Sequence, residues 1–265
     1  MTHIRTAALP TTGTLPAGRP AIPQLEMRGI LGVWAAAAIP MGLLAWVFAP
    51  WFADQLSGPG AFARAMIVAL TVGLAWQFVL TMALVRREQG TLRWVVLREV
   101  LWLHSPTSPT TGRRGGRLWW ILLPLVLLAA AKDFVPKIPH AENLDFFAFV
   151  GTDEGRDFLS GAWGWFAVLI VMAVFNTVLG EELLFRGYLL PRMNGVFGRR
   201  DWIANGVLFG LYHLHRWWAI PGLLFGILTY AWPAKHYRSA LVSIAVHSAQ
   251  SVVLVVLVLP LVLQG

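Results

Sequence analysis

Long apolar runs separated by short charged segments organise this chain. Ile30 to Phe52 and Ala63 to Val85 each continue for more than twenty residues with almost no charge, the length at which a helix crosses a bilayer. Pro40 inside the first predicts a kink. Leu118 to Ala131 is a shorter apolar run. Ala162 to about Met193 reads as one long helical pattern that tolerates Gly180 and Gly187. Trp202 to His215, Ile220 to Trp232 and Ala240 to Leu263 complete the set. The first two of these are short, which suits helices buried among others. Between the runs, "RREQGTLRWVVLREVLWLH" (86–104) spaces its charges among Trp and Leu and predicts an interfacial amphipathic helix. "SPTSPTTGRRGGR" predicts a loop, and 132–157 a polar connection.

The pattern predicts an all-α, polytopic integral membrane helix bundle with about 7–8 transmembrane helices, at roughly 20 residues each. Residues 1–28, rich in Pro, Thr and Gly without a continuous apolar stretch, predict a disordered N-terminal tail. Residues 29–160 form N-terminal transmembrane helices with the interfacial helix near 86–104, and 161–265 form the membrane core that carries the chemistry.

Composition agrees. Mean hydropathy is +0.63, with 57% hydrophobic and 13% charged residues, values that exclude an ordinary soluble domain. The net charge of +8 is unevenly placed. Segments 86–117, 192–200 and 235–238 are basic and 133–158 is acidic, which puts the N-terminus in the cytoplasm and the acidic loop outside; the expected location is the cell (inner) membrane. The basic run near 86–98 suits anionic lipid, and no soluble basic surface for nucleic acid is evident. Many of the 14 Trp sit near span ends, and Arg216 beside Trp217 and Trp218 reads as an interface anchor. With no cysteine, disulfides and thiolate chemistry are excluded.

Candidate chemistry comes from the few polar groups in the apolar core. After Phe158 the only acids are Glu181, Glu182 and Asp201, and Asp201 adjoins Arg199 and Arg200. Ionisable groups within the membrane cost about 3 kcal/mol or more each and therefore face a cavity or a partner. Glu182 and Arg186 are spaced for a helical ion pair. Glu181 has Phe185 at that spacing, so its partner lies on another helix. His213, His215 and His247 are the candidates. His213 and His215, two apart, would point about 200° from each other on a helix, so one alone would face the carboxylates. At ~1.5 Å per residue, His213 lies about 16 Å from the start of its helix and His247 about 12 Å, depths at which both can meet Glu181. Ser251 follows His247 by one turn.

A carboxylate beside two imidazoles suits hydrolysis by an activated water. The same set, Glu181, His213 and His247, can instead hold a divalent metal such as zinc, so a metal or no cofactor both fit. HExxH and G-x-S-x-G are absent. A proton-coupled transporter using Glu181 as a relay would want broken helices and an internal repeat, which the chain does not show.

The stretch "EELLFRGYLL" resembles the EExxxR motif of the CAAX protease and bacteriocin-processing family, the type II CAAX prenyl endopeptidases and their bacterial relatives. Phe209 to His213 is similar to the family's FxxxH, and His247 with Ser251 to its third motif, where Asn or Asp is usual in place of Ser251. The resemblance covers roughly 162–263. It implies a membrane-embedded endopeptidase acting on a membrane-associated, prenylated or bacteriocin-like peptide or protein. Glu181 and His213 would activate the water, His247 would stabilise the oxyanion with Ser251 as a shorter donor, and Glu182 and Arg186 would orient the others. The family has been described both as metal-dependent and as a glutamate protease. The alternative is a non-catalytic membrane scaffold or immunity protein using the same polar network structurally.

Overall fold

A computed structural model describes residues 20–141 and 144–265. Most of the expected tail, residues 1–19, lies outside them. Its last part is not free: Leu25 N–H donates to Arg192 O (2.9 Å) and Gln24 Nε2 to Pro191 O (3.0 Å), which fastens residues 20–26 to the bundle. Helix α1 (Met27–Ala53) carries Pro40 within it. The ring removes a backbone donor and frees the carbonyl of Ala36, which accepts instead from the Trp76 indole at 2.8 Å. One turn later, at Leu44–Phe48, the helix widens to π geometry. Trp76 belongs to α2 (Ala61–Gln89), which ends where Gly90 takes φ +68°, a left-handed cap suited to glycine.

That cap also changes the expected interfacial helix. The glycine stops α2 after Gln89, and only Trp94–Val100 (α3) is helical again, so 86–104 is the end of one long helix, a turn and seven helical residues. The chain then continues through α4 (Leu122–Ala130), flanked by 3₁₀ turns, α5 (Phe146–Val150) and α6 (Asp153–Leu159). The Thr152 hydroxyl caps α6 by accepting from Gly155 N–H at 3.1 Å.

Helix α7 (Trp163–Arg192) carries the motif. It is π-helical over Phe175–Gly180 and again over Leu183–Leu189, with Glu181 and Glu182 as the two residues between. Such wide turns are uncommon and concentrate at functional sites. Then follow α8 (Asp201–Tyr212), a 3₁₀ strap His213–Ala219, a π turn Ile227–Ala231 leading into α9 (Trp232–Tyr237), and α10 (Ala240–Val262).

The protein is all-helical and a membrane protein. Among the described residues, four helices (α1, α2, α7 and α10, of 27, 29, 30 and 23 residues) are long and apolar enough to cross a bilayer. The expected count of seven or eight is not confirmed by these four. Leu118–Ala131, Trp202–His215 and Ile220–Trp232 break into shorter helices at 3₁₀ turns and at residues such as Arg216, whose backbone leaves the helix (φ −136°, ψ 48°).

Contacts sort the segments by end. Glu88 pairs with Arg192 at 2.7 Å, and Ala240 N–H donates to Trp102 O at 2.9 Å. These and the Gln24 contact gather the starts of α1 and α10 with the ends of α2 and α7, the end that holds the basic segments. At the opposite end, Gly60 N–H donates to Glu154 Oε1 (2.8 Å) and Gly161 N–H to Val262 O (3.1 Å), beside the acidic connection.

Two glycines show how closely the helices approach. A Cβ on Gly180 would stand 2.6 Å from Phe175 O and 2.9 Å from Leu74 O, both backbone atoms that cannot step aside. A Cβ on Gly73 would meet the flexible Met41 side chain at 2.7 Å. Gly180→Ala is therefore expected to cost about 2–3 kcal/mol by overpacking. Gly73→Ala should be near neutral, because Met41 can swing and alanine favours the helix. Thermal unfolding of the two variants in detergent checks the contrast.

Candidate active site

The two glutamates diverge. Glu182 turns to the basic side of the network: its Oε1 accepts from Arg186 Nη1 (3.1 Å) and His247 Nδ1 (3.0 Å). Arg186, fully buried, lies with its guanidinium carbon 3.9 Å from the centre of the Phe209 ring and 5.3 Å from that of Tyr230. The quadrupole of an aromatic face offsets part of a buried cation's lost hydration. Phe209 carries His213 one turn further on: His213 Nδ1 meets the Phe209 carbonyl at 2.8 Å, and the two rings meet edge to face at 4.7 Å. The FxxxH spacing therefore does three things. Its ring supports Arg186, its carbonyl fixes the histidine tautomer, and its edge sets the imidazole plane.

Glu181 faces the other way. Its Oε1 lies 3.6 Å from His213 Nε2. The Asn176 amide, with its nitrogen turned toward the carboxylate, donates to both oxygens at 3.2 and 3.3 Å. Tyr212, whose hydroxyl accepts from Gln77 Nε2 at 2.7 Å, also faces Glu181 and can donate to it. Because His213 Nδ1 is committed to a carbonyl acceptor, that nitrogen carries the ring proton and Nε2 presents a lone pair. Two lone pairs facing each other repel, so a proton, or a water donating to both, belongs between Glu181 and His213. The geometry is that of a proton-accepting pair.

Glu181, His213 and His247 line one cavity of about 490 Å³, together with Tyr230 and Gln250. Its deep wall is closed by Phe209, Tyr212 and Val246, all buried. Its exposed rim includes Asp133 and Lys137 from the connection after α4. A second cavity of about 170 Å³ adjoins it and shares Asn176, His215, Arg216 and Gln250. Its walls are otherwise mainly apolar, with Trp46, Phe62, Ile67, Phe149 and Leu254.

Three expectations change. His215 does not point away from His213: the chain leaves the α-helix at His213, and in the tighter 3₁₀ strap the imidazoles stack at 5.4 Å with 27° between planes. Both therefore line the large cavity. Ser251 lies on the second cavity and not on the first, while Gln250 reaches the large cavity and donates to the Tyr230 hydroxyl. Glu181, His213 and His247 line one cavity but are not gathered closely enough to serve together as metal ligands. Among the described residues no three His, Cys, Asp or Glu side chains converge on one point suited to a cation. The residues as arranged do not fit a metal centre; the groups they offer to a reaction are acids and imidazoles.

Sequence reasoning omits Asn176, Gln77, Tyr212, Tyr230 and Gln250 from the site. A signal existed for two of them. Gln77 is the one amide within the apolar run 63–85, and Asn176 is the first polar residue met in α7.

A buried cluster of acids, an arginine and imidazoles between apolar helices defines a class, a membrane protein with a polar site in its core. Residues 163–253, from the start of α7 to the middle of α10, match the family model for Type II CAAX prenyl endopeptidase Rce1-like. The resemblance to the CAAX protease family is thereby shown over this segment, and that family implies a CAAX-type intramembrane protease. No curated protein and no solved structure matches the chain.

Proposed function

We propose that this protein is an intramembrane endopeptidase that hydrolyses a peptide bond of a membrane-associated substrate, prenylated or bacteriocin-like, without a covalent intermediate. The observation that carries the reading is the approach of His213 Nε2 to Glu181 Oε1 (3.6 Å) within a cavity that also holds His247. A water between Glu181 and His213 gives up a proton to that pair and its oxygen bonds to the scissile carbonyl carbon. The carbonyl oxygen takes the negative charge. For His247 to donate to it through Nε2, the ring must carry both protons, and the Glu182 carboxylate behind Nδ1 supports that charge. Arg186 holds Glu182 in place. Collapse of the intermediate breaks the C–N bond, and the proton held by Glu181 and His213 passes to the leaving amine. Ser251 contributes from the neighbouring cavity by contact with substrate. In this reading the basic end faces the cytoplasm of a cell (inner) membrane, with the N-terminus inside.

Incubating the purified protein with source membranes in H₂¹⁸O tests the reaction. New peptide C-termini carrying one ¹⁸O are expected from the wild type and not from Glu181→Gln. Identical peptide sets from the two proteins would overturn hydrolysis and favour a structural network.

A further inference from the structure

Arg216 lies on the wall of both cavities. Within the smaller one it is the single Lys, Arg, Asp or Glu side chain among the described lining residues. The other cations on the large cavity have acids beside them: Lys132 is 3.5 Å from Asp133, and Lys137 pairs with Asp145. Among the described residues no salt bridge engages the Arg216 guanidinium; the acid whose charge it feels is Glu181, on the same cavity. Its position is built. The backbone breaks from helical geometry at Arg216 itself. His213 is anchored to Phe209 on one side, and on the other the Trp218 carbonyl accepts from Ile138 N–H at 3.1 Å. Trp218 is further held between His140, stacked at 4.7 Å, and Trp46, edge-on at 6.4 Å. A lipid-interface anchor would want its side chain free to follow headgroups. This one sits on a strap whose flanking residues are held, at the seam between the large cavity and an apolar one.

We infer that Arg216 binds a carboxylate of the substrate, fixing the peptide so that one apolar side chain fills the smaller cavity while the scissile bond reaches Glu181. A guanidinium offers paired donors that match a carboxylate and can bind it bidentately. The carboxylate can come from a free C-terminus or from an Asp or Glu side chain. The inference rests on the proposed peptidase reading for its biological sense, but it is tested by binding alone.

The test uses the full chain in nanodiscs with Glu181→Gln, so that nothing is cleaved. Three dye-labelled peptides of one apolar sequence serve as probes: one with a free C-terminal carboxylate, its C-terminal amide, and that amide with one internal Glu. At least one carboxylate-bearing peptide is expected to bind about tenfold tighter than the plain amide, the fold-change of a charge-assisted hydrogen bond. Which of the two shows the gain identifies the source. Arg216→Gln should erase the gain and Arg216→Lys retain part of it. Equal affinities for all three peptides, or no measurable binding, overturn the inference using the Glu181→Gln protein alone. So does an Arg216→Gln protein that keeps the full preference, or one in which only the dependence on anionic lipid changes. Cleavage can fail while carboxylate preference holds, or the reverse, so this inference and the hydrolytic reading fail separately.

Discussion

Glu181→Gln is expected to lower turnover by about three orders of magnitude or more, within the range for loss of a general base, without lowering the melting temperature. The substitution keeps shape and most polar partners. The oxygen of the introduced amide can still accept from Asn176 and from Tyr212, which replaces two of the interactions at the carboxylate. Its new N–H faces His213 Nε2, the atom 3.6 Å away that presents a lone pair. What disappears is the capacity to take a proton in a buried place. An amide of the same shape never has to bury a charged form, so stability should hold or rise. Thermal unfolding followed through the chain's tryptophans, measured beside turnover, separates the effects. A Gln variant that melts normally and still turns over would remove Glu181 from the chemistry.

The long helices are legible because their signal is long. Runs of apolar residues locate α1, α2, α7 and α10 to within a few residues, and the i, i+4 spacing of Glu182 and Arg186 gives their ion pair directly. Two features escape for a physical reason. In a run that is apolar on all sides, a π turn and an α turn present the same pattern, so the wide turns flanking Glu181 leave no trace in hydropathy. Their consequence is nevertheless specific: Asn176, five residues before Glu181, comes to lie against its carboxylate. The strap after Tyr212 misleads in the same way. Ideal helical geometry separates His213 from His215, and the 3₁₀ segment stacks them. At the third motif, register along α10 decides the matter. Gln250, next to Ser251 in sequence, is the one that reaches the Tyr230 hydroxyl.

Glu182→Ala and Arg186→Ala are each expected to cost about 3–5 kcal/mol, the penalty for stranding one member of a buried ion pair. Both side chains are fully buried, and the pair is joined at 3.1 Å. In Glu182→Ala the guanidinium keeps only the faces of Phe185, Phe209 and Tyr230, and His247 Nδ1 loses its acceptor. In Arg186→Ala the Glu182 carboxylate keeps His247 alone. It then stands one residue from Glu181 with no guanidinium to separate the two acids. The double variant Glu182→Gln/Arg186→Met removes both charges and keeps the volume. The amide oxygen still accepts from His247, and the thioether still covers the Phe209 ring. It should therefore cost clearly less than Glu182→Gln and Arg186→Met added together, an interaction energy read from unfolding of the wild type, these two single variants and the double. Arg186→Lys tests the aromatic contact separately, because an ammonium keeps the charge without the planar face that Phe209 supports. If the Glu182→Gln and Arg186→Met losses simply add in the double variant, Glu182 and Arg186 are independent, and the scaffold on which His247 depends must lie elsewhere.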